Sequence, residues 1–128
     1  MFGRKLFAAI FAGLVAVVAG CATMDSMAPA MYSGGVMVNS AGMTLYTFDK
    51  DPAGAGKSAC NGPCAANWPP LKAGAGDMAS GDFSIVTRDD GSRQWAHKGK
   101  PLYLWSKDQK PGDMNGNGFN KVWHVIKQ

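Results

Sequence analysis

The chain has 128 residues, with 13 lysines and arginines against nine acidic residues, for a formal charge of +4. That length holds one small domain and excludes two comfortable cores. The basic residues from Lys50 to Lys127 are spread without a run, which excludes a nucleic-acid footprint and reads as solvated surface.

The first five residues carry adjacent charges at Arg4 and Lys5, and no charged side chain follows from Leu6 to Gly20. This is the charged start and apolar run of an export signal, shorter than the ~20 residues a permanent transmembrane helix needs. Val18-Ala19-Gly20-Cys21 resembles the lipobox of bacterial lipoproteins, a branched apolar residue and two small ones before a cysteine. Residues 1–20 are expected to be cleaved and Cys21 to take the lipid; the alternatives are an ordinary signal with a chance cysteine or an uncleaved anchor. More than one acyl chain on a residue makes anchoring stable where a single chain is marginal. The membrane is therefore an expected partner through this anchor. Ala22 stands where an inner-membrane retention signal would place aspartate, so in a Gram-negative host the outer membrane is expected, facing periplasm or surface. Without its signal the chain keeps about 108 residues and, losing Arg4 and Lys5, a charge of about +2.

Residues 22–35 are small, proline-containing and aperiodic, and read as a lipid-anchored flexible tether over 21–35. The ordered domain, 36–128, is expected to be mainly β, one small domain of antiparallel strands. Val36 to Asn39 and Met43 to Phe48 flank Ser40-Ala41-Gly42 as a hairpin. A short helical turn is expected around Ala65 to Trp68. Phe83 to Arg88 and Arg93 to His97 flank Asp89-Asp90-Gly91-Ser92 as a second hairpin, and Leu102 to Trp105 and Val122 to Lys127 read as strands. Pro52 to Lys57, Ala73 to Gly81 and Lys110 to Gly118 read as loops.

The segment Gly42-Met43-Thr44-Leu45-Tyr46-Thr47-Phe48-Asp49-Lys50-Asp51 aligns with Gly99-Lys100-Pro101-Leu102-Tyr103-Leu104-Trp105-Ser106-Lys107-Asp108. Trp68 and Trp123 follow at nearly the same distance. This is a duplication of about 55 residues, with repeats over about 36–71 and 83–128. On a strand, residues two apart share a face, so Tyr46 pairs with Phe48 and Tyr103 with Trp105. These aromatics are expected in the core; exposed side by side, they would make a stacking platform for sugar rings or flat ligands. Asp51 and Asp108 fall past the strand ends. There each can accept backbone N–H bonds in the turn or the hydroxyl of a tyrosine from the other repeat.

With Cys21 assigned to lipid, Cys60 and Cys64 remain as an even pair, expected to form a local disulfide in an oxidising compartment. Thiol exchange or Cu(I) binding are the alternatives, but such sites usually sit in a βαβ frame that is not visible here. Asp113, Asn115 and Asn117 match the first half of a calcium loop, with one carboxylate, two amides and His124 where an EF-hand has its bidentate glutamate. Ordinary Asx turns explain the same residues. Met24, Met27, Met31, Met37 and Met43 prompt a soft-metal reading, with His97 and His124 as added nitrogen ligands. No G-x-S-x-G, H-E-x-x-H or phosphate loop is present and glutamate is absent. Asp49, Asp51, Asp89, Asp90 and Asp113 lie in turn contexts that account for them, so no enzyme activity and no cofactor are expected.

The doubled Tyr-x-(Phe/Trp/Tyr)-x-x-Asp motif, the run from Cys60 to Leu71, and Pro111 to Gly118 before Val122-Trp123 resemble the secreted-repeat bacterial lipoproteins. The resemblance runs from about Val36 to the C-terminus. It implies an envelope location and duplicated architecture, and it names neither ligand nor reaction. The expected function is a non-enzymatic binding or structural module of the envelope, its partner an envelope protein or a small ligand. A metal (copper or calcium) or thiol-redox accessory protein is the alternative.

Overall fold

A computed structural model describes residues 28–128; the signal, Cys21, Met24 and Met27 lie outside them. The strands are β1 (Ala30–Ser33), β2 (Val36–Asn39), β3 (Tyr46–Phe48), β4 (Phe83–Thr87), β5 (Arg93–His97), β6 (Lys100–Pro101) and β7 (Trp123–Val125). A single turn of helix, α1 (Pro63–Asn67), carries proline in its first turn, and Phe119–Lys121 forms a 3-10 turn. All the strand pairings are antiparallel, in small sheets ordered β1-β2, β3-β7 and β4-β5-β6. The fold is mainly β, as the punctuation of the sequence predicts.

Order begins earlier than the tether reading allows. Ala30 to Ser33, placed in the tether above, form β1 against β2, with Ala30 opposite Asn39 and Ser33 opposite Val36. Gly34 and Gly35 turn the chain with φ of 61° and 87°, a conformation that glycine adopts without the Cβ penalty other residues meet. The second hairpin forms as expected, with Arg88 N–H donating to Ser92 O and Asp90 Oδ1 capping Ser92 N–H at its tip.

The first hairpin is shorter than its sequence suggests. Asn39 N–H donates to Met43 O and Leu45 N–H to Met37 O, after which the chain leaves β2 and β3 pairs with β7. Tyr46 then meets its own repeat counterpart: Tyr46 N–H donates to Tyr103 O at 2.8 Å and Tyr103 N–H to Tyr46 O at 3.0 Å. Equivalent residues facing one another in an antiparallel bridge define a local pseudo-two-fold axis between the repeats.

The axis is obeyed further out. Tyr46 lies opposite Val125 and Tyr103 opposite Pro70; Val36 opposite Lys127 and Gln94 opposite Lys72. Met37 N–H donates to Ile126 O and Trp95 N–H to Leu71 O, both at 2.9 Å. Gly42 and Gly99 both adopt φ of 84°. Each repeat therefore sends its last strand to the other, and neither completes its backbone pairing alone. Two apolar clusters result, one around Tyr46, Trp68, Tyr103 and Trp123 and one around Met37, Leu45, Trp95 and Leu102.

Candidate functional site

The motif residues converge on the pseudo-two-fold axis. Tyr46 and Tyr103 have no solvent exposure, and their hydroxyls cross between repeats. Tyr46 Oη donates to Asp108 Oδ2 at 2.6 Å and Tyr103 Oη to Asp51 Oδ2 at 2.5 Å. The second carboxylate oxygens accept backbone N–H groups, Asp51 Oδ1 from Ala59 at 2.7 Å and Asp108 Oδ1 from Asn115 at 2.9 Å. Both partners foreseen for these aspartates, a turn N–H and a tyrosine of the other repeat, are realised at once. Asp51 and Asp108 are buried, and a buried carboxylate is tolerated only when its lone pairs are engaged in this way.

Each phenol oxygen also accepts a bond. Gly116 N–H donates to Tyr46 Oη at 3.2 Å, and Ser58 Oγ, 2.5 Å from Tyr103 Oη, serves the other repeat. Because the Tyr103 proton goes to Asp51, the Ser58 hydroxyl supplies the donor there. Burial pushes both phenols far above their ordinary value, and the bonds to Asp108 and Asp51 add to the effect. Both groups are neutral phenols at physiological pH.

Behind the phenols, four rings form a column. Phe48 stacks on Trp123 at 4.2 Å and Trp123 on Trp68 at 3.8 Å, and Trp105 lies against Trp68 at 4.0 Å with its ring tilted by 30°. Phe48 and Trp105 are repeat equivalents, as are Trp123 and Trp68, so the column obeys the same axis. Tyr46 meets Trp68 edge-on at 5.3 Å and Tyr103 meets Trp123 edge-on at 5.1 Å, the arrangement that the ring quadrupoles favour. Trp68, Trp105 and Trp123 are 3%, 7% and 3% exposed. They are core rather than an open stacking platform. Gly116 is the close-approach point: a Cβ there would lie 2.7 Å from Trp68.

Cys60 and Cys64 are joined by a disulfide across the start of α1. Cys60 is fully buried against the aromatic cluster, so it behaves as part of the core. Arg88, Gln94 and Ser58 are buried polar residues that their spacing did not reveal. Arg88 bonds Gln94 Oε1 at 2.7 Å and Cys60 O at 2.6 Å, tying the β4–β5 hairpin to the disulfide loop. An arginine at a strand end reads as solvated, and only contacts distant in sequence bury this one.

The calcium reading is not supported by the geometry. Asp113 Oδ2 accepts from Gln109 and Lys110 N–H, its Oδ1 takes the Lys110 ammonium at 2.7 Å, and Asn117 Oδ1 accepts Val125 N–H. Asn115 contributes its backbone N–H to Asp108. Among the described residues no three histidine, cysteine or acidic side chains gather as metal ligands. Met37 is core, Met43 half-buried and Met31 exposed. His124 pairs with Asp49 at 2.9 Å, while His97 packs against Phe83 and is held below its ordinary pKa by burial and then by Lys98.

The family model described as a secreted repeat of unknown function matches the chain twice, over residues 32–72 and 84–127. No curated protein and no solved structure matches it. The chain belongs to this family of secreted repeats.

Proposed function

Starting from that membership, we propose that the protein is a non-enzymatic module of the bacterial cell envelope, held by lipid on Cys21, that binds or braces another envelope component. In a Gram-negative host its place is the outer membrane. The observation that supports this reading is the use made of the motif. Tyr46, Phe48, Asp51, Tyr103, Trp105 and Asp108 are all buried and spent on contacts across the repeat interface. A signature consumed by internal architecture builds a rigid scaffold, and recognition then falls to the surface that this scaffold displays. Two acyl-type attachments on a leading cysteine would hold that scaffold at the membrane.

Metabolic labelling with radioactive palmitate, followed by membrane fractionation, tests the anchor. Label in the wild-type chain, and its loss with release into the soluble fraction for Cys21→Ala, is the expected result. An unlabelled wild-type chain, or a Cys21→Ala chain that keeps its label, overturns the reading.

A further inference from the structure

The pseudo-two-fold axis makes one departure from symmetry conspicuous. A cavity of about 280 Å³ is lined by Tyr32, His97, Lys98, Lys100, Ile126 and Lys127, among others. Its symmetry mate, also about 280 Å³, is lined by Asn39, Ser40, Leu71, Lys72 and Trp95 together with Asp77. Ile126 and Lys127 correspond to Leu71 and Lys72 in the strand pairing. The walls facing them have diverged. One cavity has the Lys98–Lys100 turn where the other has the Asn39–Ser40 turn, and the second carries one lysine, Lys72, and one carboxylate, Asp77, in its lining where the first carries three lysines.

The first cavity is strongly cationic. Among the described residues the ion pairs are Lys57–Asp89, Lys110–Asp113 and His124–Asp49, so Lys98, Lys100 and Lys127 are left without carboxylate partners. The groups facing them are the Tyr32 ring on β1, Thr47 on β3, His97 on β5, Val125 at the end of β7 and Ile126 just past it. Asp82 bears on His97, and its backbone carbonyl accepts Lys98 N–H. The turn is built in a fixed form. Lys98 adopts φ of 51° and Gly99 84°, and a Cβ on Gly99 would lie 2.7 Å from Gly54 N. A lysine held in the left-handed region, where asparagine or glycine is usual, carries its ammonium at a cost in backbone energy.

We propose that this cavity is a binding site for a phosphate-bearing ligand. Three ammonium groups supply the charge, the Tyr32 hydroxyl and His97 ring supply neutral donors, and Val125 with Ile126 form an apolar floor for the organic part of a phosphate ester. Phosphate of this chemistry occurs as a lipid headgroup and as a soluble ester or free ion. The site deepens the binding role proposed above. It lies wholly within residues 28–128, so its failure leaves the lipid anchor standing, and failure of the anchor leaves the site standing.

The test uses the mature protein purified in a neutral detergent from whichever cell fraction holds it. Inorganic phosphate and short-chain phosphatidic acid are titrated separately, with short-chain phosphatidylcholine as the zwitterionic reference, following His97 and Tyr32 by NMR and affinity by calorimetry. Saturable binding of phosphate assigns the site to soluble ligands, and binding of phosphatidic acid alone assigns it to a headgroup. Lys100→Gln and Lys127→Gln should each weaken binding about fivefold, the effect of one lysine near a phosphate surface. Lys98→Asn, which suits the backbone, should do the same, and Lys72→Gln in the mate cavity should change nothing. If Lys98→Asn fails to fold, the other two variants carry the comparison. Absence of saturable binding to either probe, or equal losses for Lys72→Gln and Lys127→Gln, overturns the proposal.

Discussion

Gly116→Ala adds one methyl group against the packed indole rings of the core. The added Cβ would sit 2.7 Å from Trp68 Cη2 and 3.0 Å from Trp105 Cγ. Trp68 has little room to yield, because it is held between Trp123 at 3.8 Å and Trp105 at 4.0 Å, and interiors packed at crystal density transmit such strain. The Gly116 N–H also donates to Tyr46 Oη, so a backbone shift that relieves the clash loosens the Tyr46–Asp108 pair. Overpacking of this kind costs about 1–3 kcal/mol. At about 2 kcal/mol, a domain of this size loses about 10 °C in Tm. Denaturant unfolding followed by near-ultraviolet circular dichroism, which reports the indole stack, measures both the loss and any change in the stack. Adding Trp68→Phe should recover part of the Gly116→Ala loss, because the smaller ring vacates the contested space and makes the two changes non-additive. A Gly116→Ala protein within about 0.5 kcal/mol of wild type, the range of ordinary surface changes, would refute the packing account.

Cys60→Ala with Cys64→Ala should cost about 2 kcal/mol, the chain-entropy value for so short a loop, and should leave a cooperative transition in denaturant. A chain unfolded without the bridge would contradict its supporting role. Tyr46 and Tyr103 should stay un-ionised well above the ordinary phenol value of 10.0 in a spectrophotometric alkaline titration. Their pKa is raised on folding, so the stability they contribute is whole below 10.0, and declines as pH rises beyond it while the unfolded chain ionises. Stability that holds flat through that alkaline range would contradict the buried, neutral phenols.

Much of this arrangement can be read before the fold is known. The duplication aligns Tyr46 with Tyr103 and Asp51 with Asp108, and period two on a strand assigns Phe48 and Trp105 to the tyrosine face. The Asp89 to Ser92 turn and the Cys60–Cys64 pair follow from local chemistry alone. The exchange of terminal strands does not, because pairing Trp123 with Phe48 rather than with its own repeat is decided by contacts distant in sequence. For the same reason Arg88 and Gln94 look like surface residues until the hairpin closes over the disulfide loop. Ala30 to Ser33 are hidden by composition: Ala-Met-Tyr-Ser beside two glycines resembles a linker, and only pairing with β2 makes it a strand. The basic cavity draws its lysines from the Lys98–Lys100 turn and the end of the chain, positions that spacing cannot associate.

The two repeats are wired to each other through crossed tyrosine–aspartate bonds. A double-mutant cycle in denaturant tests it, with Tyr103→Phe combined with Asp51→Asn and, separately, with Asp108→Asn. Hydrogen bonds to charged groups contribute about 1.5–3 kcal/mol, so the Tyr103–Asp51 pair, at 2.5 Å across the repeats, should show a coupling above about 1 kcal/mol. Tyr103 with Asp108 of its own repeat should be additive within about 0.5 kcal/mol. Coupling concentrated in the Tyr103–Asp108 pair, with additivity for Tyr103–Asp51, would contradict the crossed architecture.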